Sequence, residues 1–135
     1  MAGYSRTPLP KKLGIKPGFR LILLSAPLDY AKSLGALPPG VTIAEALSER
    51  LDFIQFFATS HEELARHFPE LKGALKDTGM LWISWPKRTS RIVSDIKENV
   101  VREIGLAQGL VDVKVCAVDE NWSALKFVYR LRDRG

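Results

Sequence analysis

Three stretches of this 135-residue chain concentrate side chains able to do chemistry. The first, Ser84-Trp85-Pro86-Lys87-Arg88-Thr89-Ser90, sets an aromatic plane beside two adjacent cations and three hydroxyls. Ammonium and guanidinium groups pair with phosphate or carboxylate, and an indole face stacks on a base, so this combination suits an anion or a nucleotide. A solvated loop whose Trp85 packs into the core would use the same residues. The second stretch is Asp119-Glu120-Asn121-Trp122-Ser123. Asp119 can accept hydrogen bonds from a ligand or cap a hairpin turn, and Trp122 can stack on a ligand or cover a sheet edge. The third group, Ser25 and Thr59-Ser60-His61, falls at the ends of two apolar runs. The candidate ligand-binding set is therefore Ser25, Ser60, Trp85, Lys87, Arg88, Asp119 and Trp122.

Other chemistries find little footing. Cys116 is the only cysteine and sits in an apolar run with no histidine nearby, which points to an inert buried thiol rather than a nucleophile. It also excludes an internal disulfide and a cysteine-based zinc site. His61 and His67 are six apart, which does not place two metal ligands on one helix face. Glu62 and Glu63 read as first-turn acids that favour a helix dipole. No Gly-x-Ser-x-Gly elbow and no Walker-type phosphate loop occurs. No catalytic residue and no metal ligand is assigned.

The elements that must position the candidates follow from periodicity. Residues 1–10, rich in Gly, Ser, Thr and Pro, read as an irregular arm, and residues 11–135 as a single α/β domain. Lys11–Ile15 suits one helical turn. Phe19–Ser25 lacks alternation, as a central strand covered on both faces would. Asp29–Leu34 suits a short helix, Val41–Ala46 a weak strand, and Leu51–Thr59 a strongly apolar one. Ser60 with Glu63 forms a capping box, and Leu64, Phe68, Leu71 and Leu75 continue at helical spacing. A turn at Asp77-Thr78-Gly79 leads into a strand over Met80–Trp85. A second amphipathic helix spans Asp95–Gln108, with Gly109 placed to end it. Val111, Val113, Val115 and Ala117 alternate with Asp112, Lys114 and Cys116. After a turn at Asp119–Trp122, Leu125, Phe127, Tyr129 and Leu131 alternate with Lys126, Val128 and Arg130. Strands alternating with helices and closing in a hairpin predict a Rossmann-like, mostly parallel sheet flanked by helices with an antiparallel end.

Composition narrows the setting. Apolar residues make up 46% and charged residues 26%, a globular balance. No apolar run approaches the roughly 18 residues of a membrane span, and no secretory h-region is visible, so a cytoplasmic protein is expected. The net charge of +5 is uneven: residues 1–20 hold five cations and no acid, and residues 126–135 hold four cations against Asp133. An anionic ligand or acidic partner is accordingly expected at the basic arm and tail.

Two resemblances add to this reading. Leu13-Gly14-Ile15-Lys16-Pro17-Gly18 before a strand, the Leu51-Asp52 strand, Leu75-Lys76-Asp77-Thr78-Gly79 before another, and the closing hairpin resemble the framework of class I S-adenosylmethionine-dependent methyltransferases. The link Ala46–Arg50 leaves no room for one of that family's strand–helix units, which implies a shortened topology. The resemblance implies S-adenosylmethionine as cofactor, with Glu45 at the position of the acid that holds its ribose. The residues themselves show no cofactor: the first strand runs into Ser25-Ala26-Pro27-Leu28-Asp29, with no glycine until Gly35. The chain also resembles a bacterial, largely actinobacterial family known only as a domain of unknown function. The matching stretches are Gly3-Tyr4-Ser5, Thr7-Pro8-Leu9, Lys11-Lys12-Leu13-Gly14-Ile15-Lys16-Pro17-Gly18, Trp82 with Trp85-Pro86-Lys87, and Gly109-Leu110-Val111-Asp112. They continue through Lys114-Val115-Cys116-Ala117-Val118-Asp119 to Trp122-Ser123. That family brings no activity to transfer. The expected function is a non-catalytic ligand- or protein-binding or regulatory module on a methyltransferase-like scaffold. The alternatives are a divergent enzyme, methyltransferase-related, and a basic nucleic-acid-binding module.

Overall fold

A computed structural model describes residues 7–47 and 50–134. Helix α1 (Leu9–Leu13) starts two residues before the expected turn, because Pro10 occupies a first-turn position where a missing N–H costs nothing. Strands β1 (Arg20–Leu24) and β2 (Thr42–Ile43) follow, separated by helix α2 (Tyr30–Leu34). Then come β3 (Leu51–Phe57), α3 (His61–Gly73), β4 (Leu75–Pro86), α4 (Glu98–Ala107) and the hairpin β5 (Leu110–Ala117) and β6 (Trp122–Tyr129). Residues 1–6 of the expected arm lie outside the described residues.

The six strands form one sheet in the order β2-β1-β3-β4-β6-β5. β2, β1, β3 and β4 are parallel, and β6 runs antiparallel to both β4 and β5. This is the mostly parallel sheet with an antiparallel end that the periodicity predicts. Alternate residues of each inner strand serve different layers. Ile22, Ile54, Ile83, Leu125 and Phe127 pack with Leu64, Phe68 and Leu71 of α3 and Val101 of α4. Leu21, Phe53, Phe57, Trp82 and Ala124 pack on the other face with Leu13 of α1 and with Tyr30 and Leu34 of α2. The non-alternating apolar run of β1 is thus that of a strand covered on both faces.

Three differences from the expected elements have local causes. β4 begins at Leu75, not Met80, because Leu75 pairs with Leu51 across the sheet instead of closing the last turn of α3. α4 begins at Glu98, not Asp95: Asp95 Oδ1 accepts the His61 N–H at 2.7 Å, and Ser94 Oγ accepts that of Ile96. Side chains so committed compete with helix formation. A register shift between Asp112 and Lys114 interrupts the alternation of β5, leaving Val113 and Val115 exposed and Cys116 buried. Gly109 takes the left-handed conformation (φ +87°) just beyond α4, as its place at the helix end requires.

The link after β2 decides the strand order. β2 lies on the outer side of β1 and β3 on its inner side, so the chain passes from one side of β1 to the other with no helix among the described residues between β2 and β3. Ala44 and Leu47 pack on the α3/α4 side of the sheet and cover β1 there. Among the described residues, no strand–helix unit stands between β2 and β3, in keeping with the short link.

Candidate functional site

β1 sends the chain outward to β2, whereas β3 sends it inward to β4 and the hairpin. The crevice beyond the carboxyl ends of β1 and β3 is therefore the point where strand order reverses, the usual ligand position in open α/β sheets. A pocket of about 390 Å³ lies there. Ser25 follows β1, Asp29 and Tyr30 open α2, and Phe57 and Thr59 end β3. Glu63 comes from the first turn of α3, Ile92 from the β4–α4 loop, and Asp119, Asn121 and Trp122 from the hairpin turn.

Local structure places each group. Ser25 adopts φ +58°, a left-handed conformation unusual for a residue with a Cβ, and so turns the chain sharply out of β1. Asp119 Oδ1 accepts the N–H groups of Asn121 at 2.8 Å and Trp122 at 3.0 Å, which folds the hairpin turn and leaves its second oxygen uncommitted. Asp29 stands at the N-terminal end of α2 without a side-chain cap bond. The lining thus contains three carboxylates, Asp29, Glu63 and Asp119, and no cationic side chain among the described residues. Its floor is aromatic: Phe57 meets Tyr30 edge-on at 4.7 Å between ring centroids and Trp122 at 5.1 Å.

Beneath this floor runs a buried polar chain. Tyr30 donates its hydroxyl to Gln55 Oε1 at 2.7 Å, and Gln55 Nε2 donates to Ser84 Oγ at 3.0 Å. Gln55 and Ser84 are fully buried. Burial pushes the Tyr30 phenol above its ordinary pKa; the Gln55 hydrogen bond acts in the opposite sense, and the nearby charges of Asp119 and Cys116 add to the rise. Tyr30 is therefore a fixed, protonated donor that points inward, tying α2 to the middle of the sheet.

The structure divides the candidate residues. Ser25, Asp119 and Trp122 meet in the switch-point pocket. Ser60 caps α3, its Oγ accepting the Glu63 N–H at 3.3 Å. Trp85, Lys87 and Arg88 line a separate groove of about 730 Å³ with Lys97, Glu98 and Arg102. Trp85 belongs to the apolar layer under α3 and α4, whereas Trp122 belongs to the opposite layer. The two edges therefore do not converge on one site. Sequence reasoning missed Asp29, Tyr30, Gln55 and Glu63. The visible signal was Gln55, a lone amide inside the apolar run Leu51-Asp52-Phe53-Ile54-Gln55-Phe56-Phe57. Cys116 is a free, buried thiol, its pKa raised by desolvation. Among the described residues, no group of His, Cys, Asp or Glu could hold a metal ion, and no helix is long and apolar enough to cross a membrane.

The sheet order, the switch-point crevice and the closing hairpin define a methyltransferase-like Rossmann fold. Comparison with solved structures agrees. A putative type 11 methyltransferase from Sulfolobus solfataricus superposes with a TM-score of 0.65 at 16% identity, covering 94% of this chain and 92% of that one. A SAM-dependent methyltransferase from Aquifex aeolicus gives 0.64 at 17% identity, covering 87% and 85%. Magnesium protoporphyrin IX methyltransferase from Synechocystis, solved with SAM bound, gives 0.59 at 14% identity, covering 90% and 74%. At such identities the likeness shows the fold alone. No protein-family model matches the chain, and no curated protein matches it, so the expected membership of the actinobacterial family is not shown.

The fold raises the question of whether these residues would hold S-adenosylmethionine in the usual way. The turn after β1 contains Pro27, which has no N–H to offer, and no glycine until Gly35. Glu45 is exposed and is not part of the pocket lining. Neither the Gly-rich approach to the backbone nor a ribose-holding acid at the pocket is reproduced.

Proposed function

We propose that this chain is a small-molecule-binding module, without catalysis, that takes an organic cation in the switch-point pocket. The observation that carries the reading is the pocket itself: about 390 Å³ at the reversal of strand order, with three carboxylates and, among the described residues, no cation in its lining. Carboxylates with uncommitted oxygens in a crevice attract an ammonium or sulfonium group and disfavour phosphate. Aromatic rings beside them favour the same charge. Asp119 is the central recognition group because its turn fixes it, while Asp29 and Glu63 supply flanking charge from two helices. Ser25 and Thr59 offer hydroxyls for the polar end of the ligand.

S-adenosylmethionine is one member of this ligand class, supported by the fold, and it is the first compound to test. Thermal shift and calorimetry would compare S-adenosylmethionine, S-adenosylhomocysteine, a simple diamine and adenosine monophosphate. The cationic compounds should raise the melting temperature. At a concentration one hundred times Kd the gain is about 2.7 kcal/mol, or roughly 10 °C for a domain of this size. Asp119→Asn should weaken their binding and leave the unliganded fold intact. Preference for adenosine monophosphate, or equal binding by Asp119→Asn, would overturn the ligand class. Methyl transfer to an added acceptor would overturn the absence of catalysis.

A further inference from the structure

On the face of the sheet that carries α1, four lysines gather without a counter-ion among the described residues. Lys114 on β5 stands directly opposite Lys126 on β6, and Lys126 is in turn opposite Trp82 on β4. Its ammonium lies 5.9 Å from the Trp82 ring. Lys12, on α1, donates to the Ala117 carbonyl at 2.7 Å, which holds it beside the same strand pair. Lys16 follows α1 closely enough that its charge, with that of Lys114, acts on Lys126 and adds to the effect of burial in lowering its pKa. Among the described residues, no ion pair involves Lys12, Lys16, Lys114 or Lys126. The ion pairs among those residues lie elsewhere, at Asp52, Glu98, Asp112 and Asp133.

Like charges placed directly across an antiparallel pair are destabilising, so the fold maintains a repulsion that a polyanion would relieve. We propose that this face docks the phosphodiester backbone of a nucleic-acid duplex. Three features favour that partner over an acidic protein. All four cations are lysines, which bind phosphate as point charges without a fixed fork geometry and so suit a contact along a repeating phosphate backbone. The irregularity at Val113 on the outer edge of β5 obstructs addition of a partner's strand. Trp82, the aromatic residue of the cluster, is fully buried, so bases have no platform and contact is with the backbone. The inference is independent of the switch-point pocket, whose lining carries the opposite charge.

The test is fluorescence anisotropy with a labelled DNA duplex, titrated at several KCl concentrations. Four neutralised phosphates give a slope of log K against log salt of about −3.6, a loss of roughly 150-fold between about 50 and about 200 mM. The double variant Lys114→Gln/Lys126→Gln should reduce the slope to about −1.8, or roughly 12-fold over the same range. Lys16→Gln, in an exposed turn, should lower the slope by about 0.9 and serves if the double variant fails to fold. Arg66→Gln, exposed on α3 on the opposite face of the sheet, should leave it unchanged. Absence of binding by the unaltered protein, an unchanged slope in Lys16→Gln, or equal competition by polyglutamate would each overturn the proposal.

Discussion

Replacing Tyr30 with Phe removes one oxygen and leaves the ring volume in place. The phenol is 2% exposed and its hydroxyl is the donor to Gln55 Oε1. In the variant that oxygen, fully buried, has lost its donor, and an orphaned buried acceptor costs about 1–3 kcal/mol. A domain of 135 residues unfolds with an entropy of about 2.1 cal/mol/K per residue, so each kcal/mol moves the melting temperature by roughly 3.5 °C. Tyr30→Phe should therefore melt about 4–11 °C lower, with an unchanged circular dichroism spectrum below the transition. Gln55→Leu should also destabilise, because it strips Tyr30 and Ser84 of their partner together. The double variant Tyr30→Phe/Gln55→Leu should cost less than the two single losses combined, since it no longer buries an unmatched amide. Thermal unfolding of all four proteins at neutral pH closes the cycle. A Tyr30→Phe protein that melts within about 1 °C of the unaltered chain, or strict additivity of the two losses, would refute the buried polar chain as described.

Two further predictions concern the frame around the site. A Cβ added at Gly105 in α4 would overlap the Phe127 ring, so Gly105→Ala should cost about 1–3 kcal/mol by forcing the helix off the sheet, measured by urea unfolding. Asp112 is held below its usual pKa, first by the hydrogen bond from Arg102, and desolvation opposes the shift. Its contribution is present above the unfolded carboxylate value near 4 and is lost as pH falls through the lower folded value. Asp112→Asn should therefore lose less than about 1 kcal/mol at neutral pH, as an exposed pair does. Its stability should converge with that of the unaltered protein as pH falls below that range.

Much of the frame was legible because local chemistry and tertiary contacts agree. The Ser60–Glu63 cap, the apolar stripe Leu64, Phe68 and Leu71, and the two-sided apolar runs of β1 and β3 all act where they stand in the sequence. Errors arose where a distant partner outweighed a local pattern. Leu75 fits the α3 stripe, yet its pairing with Leu51 places it in the sheet. Val113 fits a strand alternation, yet the register shift turns it to solvent at 52% exposure. Of the site, the hairpin turn and Ser25 were visible because turn residues and strand ends are local features. Asp29 and Glu63 were not: their meeting depends on β1 lying beside β3, thirty residues on, and spacing does not encode that adjacency. Glu63 was read as a first-turn acid of a capping box; it stands there, its N–H donating to Ser60 Oγ, and it also lines the pocket.

The position of β6 has a consequence for how the molecule is made. It is the last of the six strands in the chain, yet it lies between β4 and β5 and hydrogen-bonds to both. While a ribosome is still producing residues 75–117, β4 presents a long bare edge and β5 has nothing to pair with. Neither can be satisfied until residues 122–129 have emerged. Assembly is therefore completed by inserting a keystone, and the nascent chain spends that interval exposed to wrong pairing along β4. Chains cut before Trp122 should be captured by chaperones or aggregate, although α1 to α4 and five of the six described strands are already present.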